Sequence, residues 1–175
     1  MLRTLTAVSL ALSAAALAAC SSNRPTHVVR RAGLGGSSLV FVEALDTSKV
    51  STVGRFVPAT PGEIASRFRT RLLQELREQG MQTRDADGVP REGILVRGTI
   101  DTIDGGTTDG VKVGGQRLHC TIELFNCDDD RSNPAAVLRV TGTPGVTEVV
   151  TESGGILGAA EDAADQVAKY VKQNP

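Results

Sequence analysis

Few residues in this chain combine a reactive type with a spacing that could do chemistry. Asp128, Asp129 and Asp130 are three consecutive acids, and Asp85, Asp87 and Gly88 look like a fragment of a calcium loop. Such a loop needs acids at alternate positions, Gly at the sixth and a bidentate Glu at the twelfth. Counting from Asp85, Pro90 falls sixth and Val96 twelfth, so neither acidic group completes a calcium site and Asp128 to Asp130 reads as a solvated turn. His119 and Cys120 are neighbours on a strand-like run, which points them to opposite faces, and two histidines in the whole chain leave a zinc site without ligands. Ser153 precedes Gly154 and Gly155 but lacks the Gly-x-Ser-x-Gly elbow of a hydrolase nucleophile. Asp101 and Glu123 are outward acids on two predicted strands, and paired carboxylates can do acid/base work. No hydrophobic pocket or aromatic wall is evident that would raise the pKa of one of them. The expectation is a protein that is not an enzyme, with no catalytic residue, metal or cofactor.

Cys20 has the most specific surroundings. Arg3 gives a basic start, an apolar run extends from Ala7 to Ala19 with only Ser9 and Ser13 interrupting it, and Leu17, Ala18 and Ala19 stand just before the cysteine. A run of about 13 residues is too short for a bilayer, which needs roughly 20. Small residues at its end fit a secretory cleavage site. Leu-Ala-Ala-Cys resembles the bacterial lipobox, which implies that Cys20 is diacylated and becomes the mature N-terminus. Residues 1–19 are then a lipoprotein signal peptide, and the chain meets the membrane through acyl chains on Cys20. Ser21 in the next position is similar to lipoproteins sent to the outer membrane, which implies the periplasmic face of that membrane.

The mature chain of 156 residues is enough for one domain with a sizeable core. A formal net charge of -1 gives no global field for nucleic acid. Four Phe, one Tyr and no Trp offer few platforms for stacking sugars or bases. Cys120 and Cys127 remain after Cys20 is taken by lipid. Seven residues of strand would hold them roughly 23 Å apart, beyond the ~7 Å between Cα atoms that a disulfide allows. A bridge would therefore require the strand to end early and the chain to fold back.

The elements that would position these residues follow from periodicity and punctuation. Ser21 to Ser38 is polar and Gly-rich, so residues 20–37 read as a flexible tether and 38–175 as the single domain. Leu39 to Leu45 reads as the first strand. Thr60, Pro61 and Glu63 form a capping box, and Ile64, Phe68, Leu72 and Leu76 recur every four residues until Gly80 stops the helix. Glu63, Arg67, Arg71 and Glu75 form its outer face, spaced for ion pairs within the helix and read as solvated.

Met81 to Ala86 reads as a short strand and Ile94 to Ile103 as a longer one, with Ile94, Val96, Gly98 and Ile100 on one face and Arg97, Thr99 and Asp101 on the other. A long Gly-rich hairpin from Asp104 to Gln116 leads to a strand over Arg117 to Phe125, with Leu118, Cys120, Ile122 and Leu124 inward. Ala136 to Thr141 is a further strand, Val146 to Val150 continues it or starts another, and a small-residue helix closes the chain over Leu157 to Lys172. The fold class is α+β: a two-layer sandwich of a mainly antiparallel sheet of four to five strands with two helices on one face, in the order β-α-β-β-β-β-α.

The strand at Gly98, Thr99, Ile100 and Asp101, the Gly-rich segment Gly105 to Gly115, the strand Thr121 to Asn126 and the closing helix Ala159 to Val171 together resemble small bacterial lipoproteins of a domain-of-unknown-function family. The layout is similar, more distantly, to envelope domains of lipoproteins that assist outer-membrane assembly or secretion. The resemblance implies an envelope location and an α+β fold and transfers no catalytic residue. The functional expectation is a domain that docks on a periplasmic or outer-membrane protein through a strand edge or the hairpin, with no nucleic-acid partner. The alternative is a module for anionic lipid or glycolipid phosphates, using Arg24, Arg30 and Arg31 or the arginines of the first helix.

Overall fold

The computed structural model describes residues 27–175 except for 32, 55–56, 58, 87, 106, 109–112 and 146–153. Residues 1–19, read from sequence as a signal peptide, lie outside the described residues, as do Cys20, Arg24, Asp87, Val146 to Val150 and Ser153. In chain order the elements are β1 (His27–Arg31), β2 (Leu39–Val42), β3 (Ser51–Val53), α1 (Pro61–Glu78), β4 (Gln82–Asp85), β5 (Ile94–Asp104), β6 (Thr107–Thr108), β7 (Val113–Gly114), β8 (Arg117–Asn126), β9 (Ala136–Gly142) and α2 (Gly154–Gln173). Leaving aside β1, the short β3 and the β6–β7 hairpin, this is the expected β-α-β-β-β-β-α order in an α+β fold.

The main sheet runs β1-β9-β8-β5-β2-β4, with β3 also on β5. The long central pairings β5–β8 and β8–β9 are antiparallel, as is β1–β9. The flank is different, because β2 pairs in parallel with both β4 and β5, and β3 pairs in parallel with β5. Parallel neighbours need a crossover, and α1 supplies it between β2 and β4. The sheet is therefore mixed, antiparallel along β1-β9-β8-β5 and parallel on the β2 flank. After β2 the chain continues along β5 through a bridge between Asp46 and Thr99 and then through β3, so β2 and β3 act as one interrupted strand.

Both helices lie on one face. Val40, Val42, Ile94, Val96, Ile100, Leu118, Cys120, Ile122, Leu124, Leu138 and Val140 share a single core with Ile64, Phe68, Leu72 and Leu76 of α1 and Ile156, Ala160, Ala164, Val167 and Val171 of α2. Alternation in β5 holds to Ile100, and then a register shift between Ile100 and Thr102 brings Ile103 inward despite its odd spacing. Cys120 and Cys127 are both free and buried, Cys120 in this core and Cys127 in a small cluster outside it.

Two expectations need correction. His27–Arg31 is an edge strand on β9, and Leu34 just after it is fully buried, so residues read as tether before residue 38 contribute to the folded domain. The Arg67 and Arg71 face of α1 is not simply solvated. Arg71 makes a two-pronged bond to Asp165 of α2, 2.7 and 3.1 Å, besides its pair with Glu75 at 2.6 Å, and Arg67 meets Glu161 at 2.5 Å. These side chains are part-exposed and form the seam between the helices, where the Asp165 carboxylate raises the pKa of Arg71.

The ends of α1 are built locally. The Thr60 hydroxyl accepts from the Glu63 N–H at 3.2 Å, and the Glu63 carboxylate accepts from the Thr60 N–H at 2.7 Å. At the other end Gly80, with φ +85°, lets its own N–H reach the Arg77 carbonyl and the Met81 N–H reach that of Leu76, a Schellman closure. α2 packs directly against β9 where Gly142 has no Cβ: one placed there would collide with the Ala159 carbonyl.

In urea denaturation, Thr60→Ala should lower stability by about 1 kcal/mol, whereas Gly142→Ala should lower it by about 2–3 kcal/mol, because the carbonyl it meets is backbone and cannot swing away. The Glu63 carboxyl is held below its usual range, first by the Thr60 backbone N–H and then by its hydroxyl. A carboxyl whose folded pKa is depressed stabilises fully above its unfolded value, about 4.3, and loses that contribution as pH falls through the folded value. The stability gap between wild type and Glu63→Ala should therefore shrink once the pH drops below about 4.

Candidate functional site

The face of the sheet opposite the helices carries the outward side chains of β2, β5, β8 and β9, and strand register sorts them into rows. The first row is apolar: Phe41 stands opposite Leu95, and Leu95 opposite Phe125. Leu95, Phe125 and Cys127 are buried there, with Phe41 and Ala86 packed against them. The second row is charged. Arg97 binds the Glu43 carboxylate with two hydrogen bonds of 2.7 and 2.9 Å, stands opposite Glu123, and lays its guanidinium over the Phe125 ring at 5.5 Å. The Glu43 carboxylate is the main cause that raises the pKa of Arg97. The third row is Thr99, Thr121 and the exposed Arg139, and beyond it come Thr102, His119 and Thr141.

Register separates the two acids suspected of acid/base work. Asp101 sits at the irregularity of β5 and accepts from the Thr99 hydroxyl at 2.9 Å and the Thr121 hydroxyl at 2.7 Å. Glu123 faces Arg97 one row away. Each acid is thus engaged with neutral or cationic neighbours and not with the other. His119 is half-buried, and its Nδ1 lies 3.1 Å from the Thr141 hydroxyl.

Two of the three consecutive acids are engaged in loop contacts. Asp130 accepts from the Ser132 and Asn133 N–H groups and the Asn133 side chain, while Asp128 accepts from the Gly93 N–H. Asp85 pairs with Arg69 at 2.7 Å. Among the described residues no three His, Cys, Asp or Glu side chains converge as a metal site would require. Burial pushes the pKa of the Cys127 thiol up, which opposes nucleophilic use.

The apolar row escaped the sequence reading, although a signal for it was present. Ile94, Leu95 and Val96 are consecutive, as are Leu124 and Phe125, and an unbroken apolar run in a strand means that both faces are covered there. The cover comes from the connections at that end. Arg131 donates to the carbonyls of Cys127 at 3.1 Å and of Arg91 at 2.5 Å, tying the β4–β5 and β8–β9 loops together. The result is a sheet face closed at one end and open over its charged and hydroxyl rows.

A second feature lies at the opposite end of β8. Gln116 is only 1% exposed, and among the described residues neither atom of its amide has a hydrogen-bond partner. Its Oε1 packs against Gly155 in the first turn of α2, in space that a side chain there would need.

No protein-family model and no curated protein matches the chain. Among solved structures, the PelC dodecamer from Paraburkholderia phytofirmans aligns with a TM-score of 0.50 at 12% identity, over 82% of this chain and 98% of its own. A variant of that protein gives 0.49 at 13% identity, over 86% and 96%. A candidate lipoprotein from Caulobacter crescentus gives 0.36 at 14% identity, over 72% and 89%. At such identities the first likeness shows the fold alone.

A buried amide without partners costs about 1–3 kcal/mol of desolvation, and an apolar side chain of similar shape removes that cost. Gln116→Met should therefore raise stability by about 1 kcal/mol in urea denaturation, and a loss of similar size would show that the amide is bonded.

Proposed function

We propose that this chain is a lipid-anchored protein of the bacterial envelope, held at the periplasmic face of the outer membrane through Cys20, whose domain docks on a protein partner and catalyses nothing. One observation carries the docking role: the open part of the sheet face, where Glu43, Arg97, Glu123, Thr99, Thr121, Arg139, His119 and Thr141 form ordered polar rows beside a buried apolar one. Such rows offer charge and hydroxyl groups at fixed spacing, which suits a protein surface more than a small molecule. The anchor reading rests on Leu17, Ala18, Ala19 and Cys20. Among the described residues no helix is long and apolar enough to cross a membrane.

The lipid-phosphate alternative loses ground on α1. Arg67, Arg69, Arg71 and Arg77 are engaged by Glu161, by Asp85, by Asp165 with Glu75, and by Thr83. The open face itself mixes Glu43, Asp101 and Glu123 with Arg97 and Arg139, so it presents no cationic field to anionic headgroups. The structural likeness is to a dodecamer, which puts a second copy of this chain among the partners to be distinguished.

Cys20→Ser should leave thermal unfolding unchanged, abolish acylation and move the protein from the membrane to the soluble fraction. An acylated, membrane-bound variant would overturn the anchor. Crosslinking in intact cells should recover one specific protein, or this chain itself. Recovery should drop at least tenfold in a Thr121→Glu, Arg139→Glu variant that keeps its fold, and unchanged recovery would place docking elsewhere.

A further inference from the structure

The position of β1 fixes how far the domain can stand from its anchor. This inference rests on the acylation of Cys20 proposed above and goes on to the orientation of the domain. From Cys20 to the first residue of β1 there are seven residue steps. Fully extended they reach at most about 25 Å. A tether running to residue 37 would have reached more than twice as far.

The leash is short on the scale of the sheet. β1 is one edge and β4 the other, five strand spacings away along β1-β9-β8-β5-β2-β4. At about 4.8 Å per spacing that is roughly 24 Å of sheet, and the side chains beyond β4 bring it to about 30 Å. Turning the β4 edge to the bilayer would lift His27 about 30 Å above it, farther than seven residues can span. The reverse orientation needs no extension.

Register also says which end of the sheet lies near the anchor. His27 stands opposite Arg139, and β1 runs antiparallel to β9, so the chain reaches β1 from the side of Thr141 and Gly142. Leu118 stands opposite Gly142, and Asp104 opposite Arg117. The β6–β7 hairpin, which connects β5 to β8, projects from that same end.

We infer that the β1 edge of the sheet, at the end bearing the β6–β7 hairpin, is the surface that faces the lipid bilayer, and that the β4 edge is turned away from it. The bilayer side is then committed to lipid, and the β4 edge stays accessible from the periplasm.

Energy transfer to an acceptor-labelled lipid tests this with the acylated full-length protein in vesicles of phosphatidylethanolamine and phosphatidylglycerol. Donor dye is placed singly through Arg139→Cys on β9 or Arg84→Cys on β4. Both positions are exposed, and the free cysteines Cys120 and Cys127 are buried away from the dye. The two sites lie four strand spacings apart, about 19 Å. Transfer from position 139 should exceed that from position 84 at least twofold, and twenty Gly and Ser residues inserted after Ser22 should abolish the difference. Equal or reversed transfer in protein shown by mass spectrometry to be acylated would overturn the orientation alone. Protein that carries no acyl group and stays off the vesicles would overturn the anchor and the orientation together.

Discussion

The contact between Gly142 and the Ala159 carbonyl is the constraint from which the rest of the architecture follows. With no Cβ at Gly142, α2 settles directly onto β9, and Ala159, Ala160, Ala163 and Ala164 keep its buried face thin. A thin α2 leaves room for α1 beside it on the same face, so one core holds both helices. α1 fills that room with Phe68, Leu72 and Leu76, larger side chains in the same core. Crowding two helices onto one face brings their polar margins together, and the Arg71 bond to Asp165 forms at that margin, across a separation of 94 residues in sequence.

Putting both helices on one side leaves the other side of the sheet without a layer. The sheet answers this in two ways. At one end the loops after β4 and β8 fold over Leu95 and Phe125, and Arg131 joins them through two carbonyls. Over the rest it relies on polar side chains that satisfy one another: Arg97 with Glu43, Thr99 and Thr121 with Asp101, His119 with Thr141. These bonds are part-exposed and contribute little stability individually. Their effect is positional, since each side chain is held at a fixed place on the pleat.

What was legible in the sequence was what neighbours along the chain decide. The capping box at Thr60, the four-residue recurrence in α1, the inward set of β8 and the α+β class all rest on local spacing. What was not legible depended on distant partners. β1 looked like tether because His27–Arg31 is polar and short, and only pairing with β9 makes it a strand. Arg67 and Arg71 looked solvated because Glu161 and Asp165 lie on another helix. The parallel placement of β2 between β4 and β5 follows from how α1 crosses the sheet, which no local pattern records. The irregularity near Asp101 changed which residues of β5 face inward, and nothing in the run Ile100 to Asp104 signals it.

The edge strand has a functional consequence because it converts chain length into geometry. A sheet edge is exposed backbone, and an edge near a surface is shielded from pairing with other chains. With β1 at the edge, the proposed anchor on Cys20, seven residues before it, would hold that edge beside the bilayer. The opposite edge is protected differently: β4 is four residues long, and its Thr83 and Asp85 side chains are tied to Arg77 and Arg69 of α1. Short length and engaged polar side chains are the usual means of blunting an edge. The polar sheet face is then the broad surface that neither helix covers. What that face presents is fixed rows of charge and hydroxyl groups at strand spacing.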